Sequence, residues 1–164
     1  MPSSAARPRD VDTAWVHEQA AGRLAALDQR YTTKRRALVH SLAEAGRPVT
    51  IADIVNGGSG FPMSSAYRNL TVLCEAGVAR RLAGADDLGR FELAEDLSGD
   101  HHHHLVCRSC GTVVDVRASP RLEEALVAAA RGAARETGFD VDDHRIELIG
   151  RCPACRSANA AASR

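Results

Sequence analysis

Four cysteines in the carboxy-terminal half of the chain form two closely spaced pairs, Cys107/Cys110 and Cys152/Cys155. Two residues between paired cysteines let both thiolates reach one ion from a tight turn, and two such turns complete the tetrahedron that Zn²⁺ prefers. Four thiolates leave no open coordination position, so we expect a structural zinc rather than a catalytic one. Because 41 residues separate Cys110 from Cys152, tertiary structure must bring the turns together, and zinc binding should be coupled to folding.

The alternatives for these cysteines are two disulfides or four reduced thiols in a core. The sequence has no signal peptide and no apolar run of membrane length. This favours a reducing cytoplasm, in which zinc is the better interpretation. The fifth cysteine, Cys74, lies near the end of a helical pattern, and we interpret it as a small buried hydrophobic residue.

Four consecutive histidines, His101 to His104, precede the first cysteine pair. If the segment His101 to Val106 is a strand, successive side chains point to opposite faces. His101 and His103 then share one face, and His102 and His104 share the other. One strand could therefore supply ligands to two different metal sites.

Ligands from other elements would have to complete each site. For His101 and His103 the best candidates are Glu123, near the start of a helix predicted over residues 120–137, and His144, in a strand-like stretch over residues 141–149. Glu124 is an alternative to its neighbour Glu123. Imidazole and carboxylate ligands suit Zn²⁺, Ni²⁺, Fe²⁺ or Mn²⁺, and geometry must discriminate among these metals.

The composition favours two small domains of opposite charge. The chain has 164 residues, of which 45% are hydrophobic and only 4% aromatic. Residues 1–84 carry 11 Lys or Arg against 7 Asp or Glu, and residues 85–164 carry 10 against 14. A basic half joined to an acidic, histidine-rich half suggests that one part meets a polyanion and the other binds cations.

The first half of the sequence reads as four short helices followed by a hairpin. Apolar periodicity predicts a helix over residues 13–28, Thr32 or Thr33 can cap a second helix that ends at Gly46, and Thr50 can cap a third. A fourth helix begins near Ser65 and ends at Gly77. Strand-like runs over residues 78–82 and 90–93 then flank a Gly/Asp-rich turn.

This order of elements is that of a winged helix-turn-helix, in which residues 65–76 would enter a DNA major groove. The other interpretation is a three-helix packing unit whose basic residues are merely solvated. The residues expected to contact DNA are Lys34, Arg35 and Arg36 on the second helix, for the phosphate backbone, and Ser65, Tyr67, Arg68 and Asn69 on the recognition helix, for phosphates or base edges.

Over roughly residues 15–156 the chain resembles the ferric uptake regulator family of metal-dependent repressors. Four segments carry the resemblance: YTTKRR at 31–36, SAYRNL at 65–70, FEL at 91–93 and HHHHLVCRSCG at 101–111, with which the later cysteine pair agrees. The four-histidine form is most similar to the zinc uptake regulators of actinobacteria.

The resemblance implies an α+β protein with five segments. They are a flexible tail (1–12), a winged-helix DNA-binding domain (13–93), a hinge (94–98), a metal-binding dimerisation domain with a structural zinc (99–156) and a second tail (157–164). It also implies a homodimer that binds a palindromic operator and represses metal-uptake genes when zinc is bound, with no enzymatic activity and no membrane or small-molecule partner. Relatives that sense nickel, iron, manganese or peroxide are the alternative.

The resemblance implies two regulatory metal sites. The first joins His101, His103, Glu123 and His144. In the second, His102 and His104 combine with Glu92, which stands where many family members place a glutamate that spans the hinge.

The second regulatory site departs from the family pattern. Ala79 and Ala94 occupy positions where zinc uptake regulators carry ligands, and a histidine of the iron regulators is missing around Arg47 and Pro48. We expect Glu92, with Asp86, Asp87 or Asp96, to complete a different ligand set, or the site to be weak.

Two other classes of protein, a zinc enzyme and a zinc-buffering protein, are alternatives to a metal-dependent repressor. A zinc hydrolase or deaminase needs an open metal position beside a general acid or base, and the sequence has no His-x-Glu paired with Pro-Cys-x-x-Cys. A zinc-buffering protein would use the histidines but would leave the winged-helix pattern unexplained, and its DNA binding would not respond to metal.

Overall fold

The structure is a computed structural model that describes residues 12–60, 62–82, 89–99 and 101–162. The chain divides into two compact units, Met1–Asp100 and His101–Arg164. Most of the predicted amino-terminal tail and most of the turn between the wing strands lie outside the described residues. In the part that is described, no helix is both long and apolar enough to cross a membrane.

The first unit begins with three helices whose starts match the capping residues in the sequence. The Asp12 carboxylate accepts hydrogen bonds from the first turn of α1, Thr32 caps α2, and Thr50 forms a reciprocal capping box with Asp53 at the start of α3. A single π-helical turn, Val55–Ser59, follows α3. The helices are α1 (Thr13–Ala26), α2 (Thr33–Ala45) and α3 (Ile51–Ile54).

The predicted recognition helix is α4, Met63–Glu75. It ends because Gly77 adopts a left-handed conformation with φ of 65°. The backbone N–H of Gly77 donates to Cys74 O and that of Val78 donates to Leu73 O, which satisfies carbonyls at the end of the helix. Ala66, Leu70 and Leu73 share one face of this helix and are fully buried.

A three-stranded antiparallel sheet completes the winged helix-turn-helix. The strands β2 (Ala79–Leu82) and β3 (Arg90–Leu93) form the predicted hairpin, and the sheet order is β1-β3-β2. Sequence analysis missed β1 (Val49–Thr50), which is only two residues long and too short to show alternation. The helices and this sheet enclose one apolar core that includes Val16, Leu24, Leu38, Val39, Leu42, Val78 and Phe91.

The segment predicted to be a hinge belongs structurally to the first unit. Residues Glu95–Ser98 form a short helix, α5, which is followed by Gly99 at a φ of 78°. Leu97 is 1% exposed and packs into the core of the first unit together with Ala94. The division between the units falls after Asp100, because burial of Leu97 fixes the preceding segment.

The second unit contains a sheet in the order β5-β4-β6. The central strand β4 pairs antiparallel with β5 and parallel with β6. The elements are β4 (His103–Cys107), β5 (Val113–Val116), α6 (Pro120–Thr137), β6 (Glu147–Gly150) and α7 (Pro153–Ala162).

Two sequence-based predictions for the second unit were wrong in detail. The strand predicted over residues 141–149 is confined to β6, so His144 lies in the loop that precedes it. The predicted tail over residues 157–164 is helical as far as Ala162, because α7 continues from Pro153 through an alanine-rich stretch that favours helix. The helix predicted over residues 120–137 is confirmed, with Ser119 as its cap and Gly138 at its end.

Candidate metal centres and nucleic-acid interface

The four paired cysteines converge in the second unit. Cys107 ends β4, Cys110 lies in the turn that follows, Cys152 follows β6, and Cys155 lies in the first turn of α7. All four Sγ atoms lie within 4.8 Å of one another. The Sγ atoms of Cys110 and Cys152 are 3.7 Å apart, close to the edge of about 3.8 Å of a tetrahedron with Zn–S bonds of about 2.3 Å.

All five cysteines are free thiols, and the 3.7 Å separation is far longer than an S–S bond of about 2.05 Å. The donor set and its spacing therefore fit a tetrahedral Zn²⁺ site. Cys74 is not one of these donors, because it lies on α4 and packs against the core of the first unit, where burial raises its pKa.

The electrostatics of the cysteine cluster also favour a cation. The backbone N–H of Cys152 donates to the Sγ atom of Cys107 at 3.3 Å, and this bond, with those from Cys110 and Ser109, lowers the pKa of Cys107 to about 6. The neighbouring thiols of Cys152 and Cys110 raise the pKa of Cys155 to about 12. The cluster thus favours ionisation of the Cys107 thiol and disfavours ionisation of the Cys155 thiol. A bound divalent cation would stabilise all four thiolates.

A second group of metal-binding side chains surrounds the start of β4. The Nε2 atom of His103 is 2.9 Å from Glu123 Oε1, and the Nε2 atom of His144 is 3.0 Å from Glu123 Oε2. The Nε2 atoms of His101 and His144 are 3.2 Å apart, near the donor separation of about 3.3 Å in a tetrahedral site with Zn–N bonds of about 2.0–2.1 Å. The structure thus brings together all four residues predicted for this site.

Glu123 is the carboxylate at the centre of this group. Although burial opposes the shift, hydrogen bonds to His103 and His144 lower the pKa of Glu123 and favour its ionised form. Glu124, the alternative considered from sequence, is exposed and belongs to no group of convergent donors among the described residues. An open cleft lined by His101, Glu123 and His144 gives an ion access to this centre.

On the opposite face of β4, His102 and His104 lie together with a residue that sequence analysis missed. Their rings meet edge to face with centroids 5.0 Å apart, and the Nε2 atom of His104 is 3.8 Å from Asp115 Oδ1. Asp115 is the antiparallel partner of His104 on β5. The strand register, which sequence alone does not supply, is what reveals it.

The remaining carboxylates considered for this second site lie in the first unit. Glu92 is buried on β3, where it lies opposite Arg80 of β2 in the antiparallel backbone register. Its role as a metal ligand stays a prediction. Asp96 instead forms an ion pair with Arg23. Asp86 and Asp87 lie outside the described residues.

The exposed face of α4 carries the side chains suited to reading DNA. Tyr67 and Arg68 are exposed, as predicted. The expectation for Ser65 was wrong, because its side chain is buried on the core side of the helix next to Ala66. That Tyr67 and Arg68 contact base edges stays a prediction.

Arg35 and Asn69, whose contacts with DNA stay a prediction, belong to an internal hydrogen-bond network. The Arg35 guanidinium donates to Arg30 O, to Gln29 Oε1 and to Asn69 Oδ1. The Asn69 amide in turn donates to Ser65 O. This network ties α2 to α4, whereas Lys34 and Arg36 are exposed on α2.

A winged helix-turn-helix unit joined to a unit rich in metal donors is the arrangement of a metal-responsive transcription regulator. The sequence profile of the Ferric uptake regulator family matches residues 26–149. The Peroxide operon regulator of Bacillus subtilis (strain 168) is 34% identical over 130 residues, which cover 77% of this chain and 83% of that protein. The chain belongs to the ferric uptake regulator family, whose members are transcription regulators and not enzymes.

Solved structures agree with this assignment at the level of the fold. The Helicobacter pylori ferric uptake regulator Fur superposes with a TM-score of 0.69 at 19% identity, covering 88% of this chain and 93% of that one. A zinc-bound manganese uptake regulator gives 0.58 at 28% identity, covering 84% and 98%. A zinc uptake regulator complexed with zinc and DNA gives 0.55 at 20% identity, covering 91% and 98%.

Proposed function

We propose that this chain is a zinc-dependent repressor of metal-uptake genes that binds a palindromic DNA operator as a homodimer. The observation that carries the proposal is the histidine segment, whose two faces each lie beside a carboxylate. His101 and His103 lie beside Glu123, and His104 lies beside Asp115. One short segment can therefore respond to metal on both sides.

Two kinds of metal site support different tasks. The Cys107, Cys110, Cys152 and Cys155 thiolates would hold a Zn²⁺ ion that stabilises the second unit. The His101, His103, Glu123 and His144 group is more open and includes neutral donors, which suits reversible binding. Glu92 is our candidate to join His102, His104 and Asp115 in a second regulatory site.

The DNA contacts would come from the first unit. Arg68 and Tyr67 on α4 would read base edges in the major groove, while Lys34 and Arg36 would contact phosphates. Arg35 and Asn69 would hold the recognition helix in register. Metal can raise DNA affinity only if it binds the DNA-competent arrangement more tightly, and a coupling of about 1–3 kcal/mol corresponds to about 5- to 150-fold.

An exposed apolar stripe in the second unit supports a homodimer. Leu105, Val114 and Leu148 are directly opposite one another on three adjacent strands and therefore share one face. Their exposed fractions are 40%, 52% and 51%, which is unusual for large aliphatic residues on a sheet. A second copy of the chain would cover this stripe and would match the two-fold symmetry of a palindromic operator.

Zinc is our first choice because three of the four donors in the Glu123 group are imidazoles and because the four-histidine segment resembles that of zinc uptake regulators. A second candidate is an iron- or manganese-dependent peroxide sensor. It is favoured by Asp115, since two histidines with a carboxylate are typical of Fe²⁺ sites, and by the similarity to a peroxide operon regulator. Zn²⁺ has no redox chemistry, so peroxide distinguishes the two functions.

The test is DNA binding measured by fluorescence anisotropy on a promoter fragment from the protein's own locus. The protein would be stripped of exchangeable metal but would retain its cysteine-bound zinc, and it would be titrated separately with Zn²⁺, Ni²⁺, Mn²⁺ and anaerobic Fe²⁺. Each metal-loaded complex would then be exposed to hydrogen peroxide.

We expect Zn²⁺ to promote tight binding that peroxide leaves intact. Promotion by Fe²⁺ followed by loss of binding on peroxide treatment would favour the peroxide sensor instead. Equal binding with and without every metal would contradict metal-dependent repression and bring the zinc-buffering alternative forward.

A further inference from the structure

The two acidic residues that begin α5 are each paired with an arginine from another element of the first unit. Arg80 on β2 binds Glu95, and Arg23 on α1 binds Asp96. The side chains of Arg80 and Glu95 are only 13% and 16% exposed, whereas that of Asp96 is 64% exposed. One shielded and one surface ion pair therefore hold α5 against the DNA-binding unit.

Arg23 also contacts the end of the recognition helix. Its guanidinium donates to Gly77 O as well as to Asp96. Gly77 is the left-handed residue that ends α4. One side chain on α1 thus joins the residue that follows the cap of α4, the helix that would enter DNA, to the first turn of α5.

The helix α5 lies in the chain between strand β3 of the DNA-binding unit and the histidine segment of the second unit. The helix ends at Ser98, and the second unit begins at His101. A metal ion that fixes the histidine segment restrains the chain directly after α5. If α5 is held rigidly, that restraint extends through α5 to the recognition helix. If α5 is mobile, the restraint does not reach the recognition helix.

We propose that Arg23 is a positioning residue that couples metal binding to the orientation of the recognition helix, through its contacts with Asp96 and Gly77 O. This inference rests on the proposed function, because it assumes that metal controls DNA affinity. The shielded Arg80–Glu95 pair anchors α5 to the wing, and Arg23 connects it to α4. Neither Arg23 nor Asp96 needs to contact metal or DNA for this role.

Asp96→Asn gives a test in which simple electrostatics and coupling predict different results. Removal of a negative charge near DNA should raise affinity equally with and without metal. Loss of coupling should lower the ratio of metal-bound to metal-free affinity. We expect that ratio to fall about 1.5- to fivefold, the scale of an exposed ion pair. Glu18→Gln, an equal charge change at an exposed site on α1, is the matched control.

Arg23→Ala and Arg23→Lys provide the second arm. The alanine variant removes both contacts, whereas lysine keeps the charge without the planar fork that spans two acceptors. Each variant is measured as the full chain for DNA affinity with and without Zn²⁺, for Zn²⁺ affinity without DNA, and for melting temperature. We expect a reduced affinity ratio with Zn²⁺ affinity unchanged and the lysine variant between alanine and wild type.

The two proposals fail in different ways. If the DNA affinity of the wild type does not depend on metal, both the proposed function and this inference are wrong. If wild type responds to metal and the Asp96 and Arg23 variants keep its full affinity ratio, only this inference is overturned. A reduced ratio in Glu18→Gln would also count against it, because the effect would then follow charge and not contact.

Discussion

The two units of this chain are stabilised in opposite ways. The first has a continuous apolar core to which every helix and each of its three strands contributes. In the described part of the second unit, Val106 and Cys107 are the only buried hydrophobic residues, and the other buried side chains are His102, His103 and His104. Its longest helix, α6, has no buried residue. In the described part of the second unit, the interior consists mainly of side chains that could bind metal.

This difference indicates why a small sensor unit can depend on its ligand. Binding of a structural zinc ion contributes about 10–16 kcal/mol in zinc-finger peptides. This is as much as the whole stability of a typical domain, about 5–15 kcal/mol. A unit with almost no apolar core of its own can gain most of its stability from that source and from a partner. The first unit needs neither, so it can keep its DNA-reading surface when metal leaves.

The most severe test of this contrast is Cys152→Ser. We expect loss of the structural zinc and unfolding of the second unit, since the remaining thiolates cannot complete a tetrahedron. Zinc content and limited proteolysis would check it, with new cleavage expected within residues 101–162 and none in α1 or α2. Cys74→Ala is the control and should retain zinc. Full zinc content in Cys152→Ser would sink the assignment.

The converse change is Leu38→Ala in the fully buried centre of the first unit. A cavity at this position should lower the free energy of unfolding of that unit by about 2–5 kcal/mol. Urea unfolding followed by Trp15 and Tyr31 fluorescence reports on the first unit alone, because the second contains no Trp or Tyr. Zinc content should not change, and a parallel loss of zinc would argue against independent stabilisation.

Mutations on the two faces of the histidine segment, His101 to His104, should affect different metal sites. His101→Ala and His103→Ala should weaken the same phase of metal binding, each by at least about tenfold, because both histidines contact Glu123. His102→Ala should affect a different phase. Competition with a fluorescent chelator would measure each phase. Should His101 and His103 act on separate phases, the shared site would be refuted.

Within the DNA-binding unit, Arg68→Ala should weaken operator binding by about 1–3 kcal/mol while metal content is preserved. Ser65→Ala should have a much smaller effect, because that side chain is buried. Anisotropy titrations of both variants against one operator provide the comparison. Wild-type affinity in Arg68→Ala would remove α4 from the major groove.

The smallest expected effect concerns the cap of α3. Thr50→Ala should cost about 1 kcal/mol of stability in the first unit. Backbone and side-chain hydrogen bonds from Thr50 lower the pKa of Asp53, so the cap stabilises above the unfolded-state pKa of this carboxyl and is lost as pH falls through the lowered one. The difference in stability between wild type and variant should therefore shrink in acid. A difference independent of pH would show that Asp53 does not complete the cap.

Local signals made much of this fold predictable. Thr32 and Thr50 mark helix starts, Gly77 and Gly138 mark helix ends, and the spacing of Ala66, Leu70 and Leu73 gives the buried face of α4. These features depend on neighbours a few residues away, where helix geometry alone determines which groups meet. The same holds for the alternation of the histidines along β4.

The features that sequence did not reveal depend on tertiary structure. Asp115 joins His104 only through the register of β4 and β5. The sequence also did not reveal that residues before α2 and on α4 supply hydrogen-bond acceptors for Arg35. The role of Arg23 depends on Gly77 and Asp96, which are 54 and 73 residues away in the chain. Neither composition nor periodicity carries information about such distant pairs.

Hydrogen–deuterium exchange on the full chain would test the central contrast most directly. It would be measured with both classes of metal bound, with only the cysteine-bound zinc, and after complete removal of metal. We expect amides in α1, α2 and α4 to keep the same protection in all three states, whereas those in β4, β5 and β6 should lose protection as metal is removed. Equal protection of the second unit in the metal-free state would contradict this expectation.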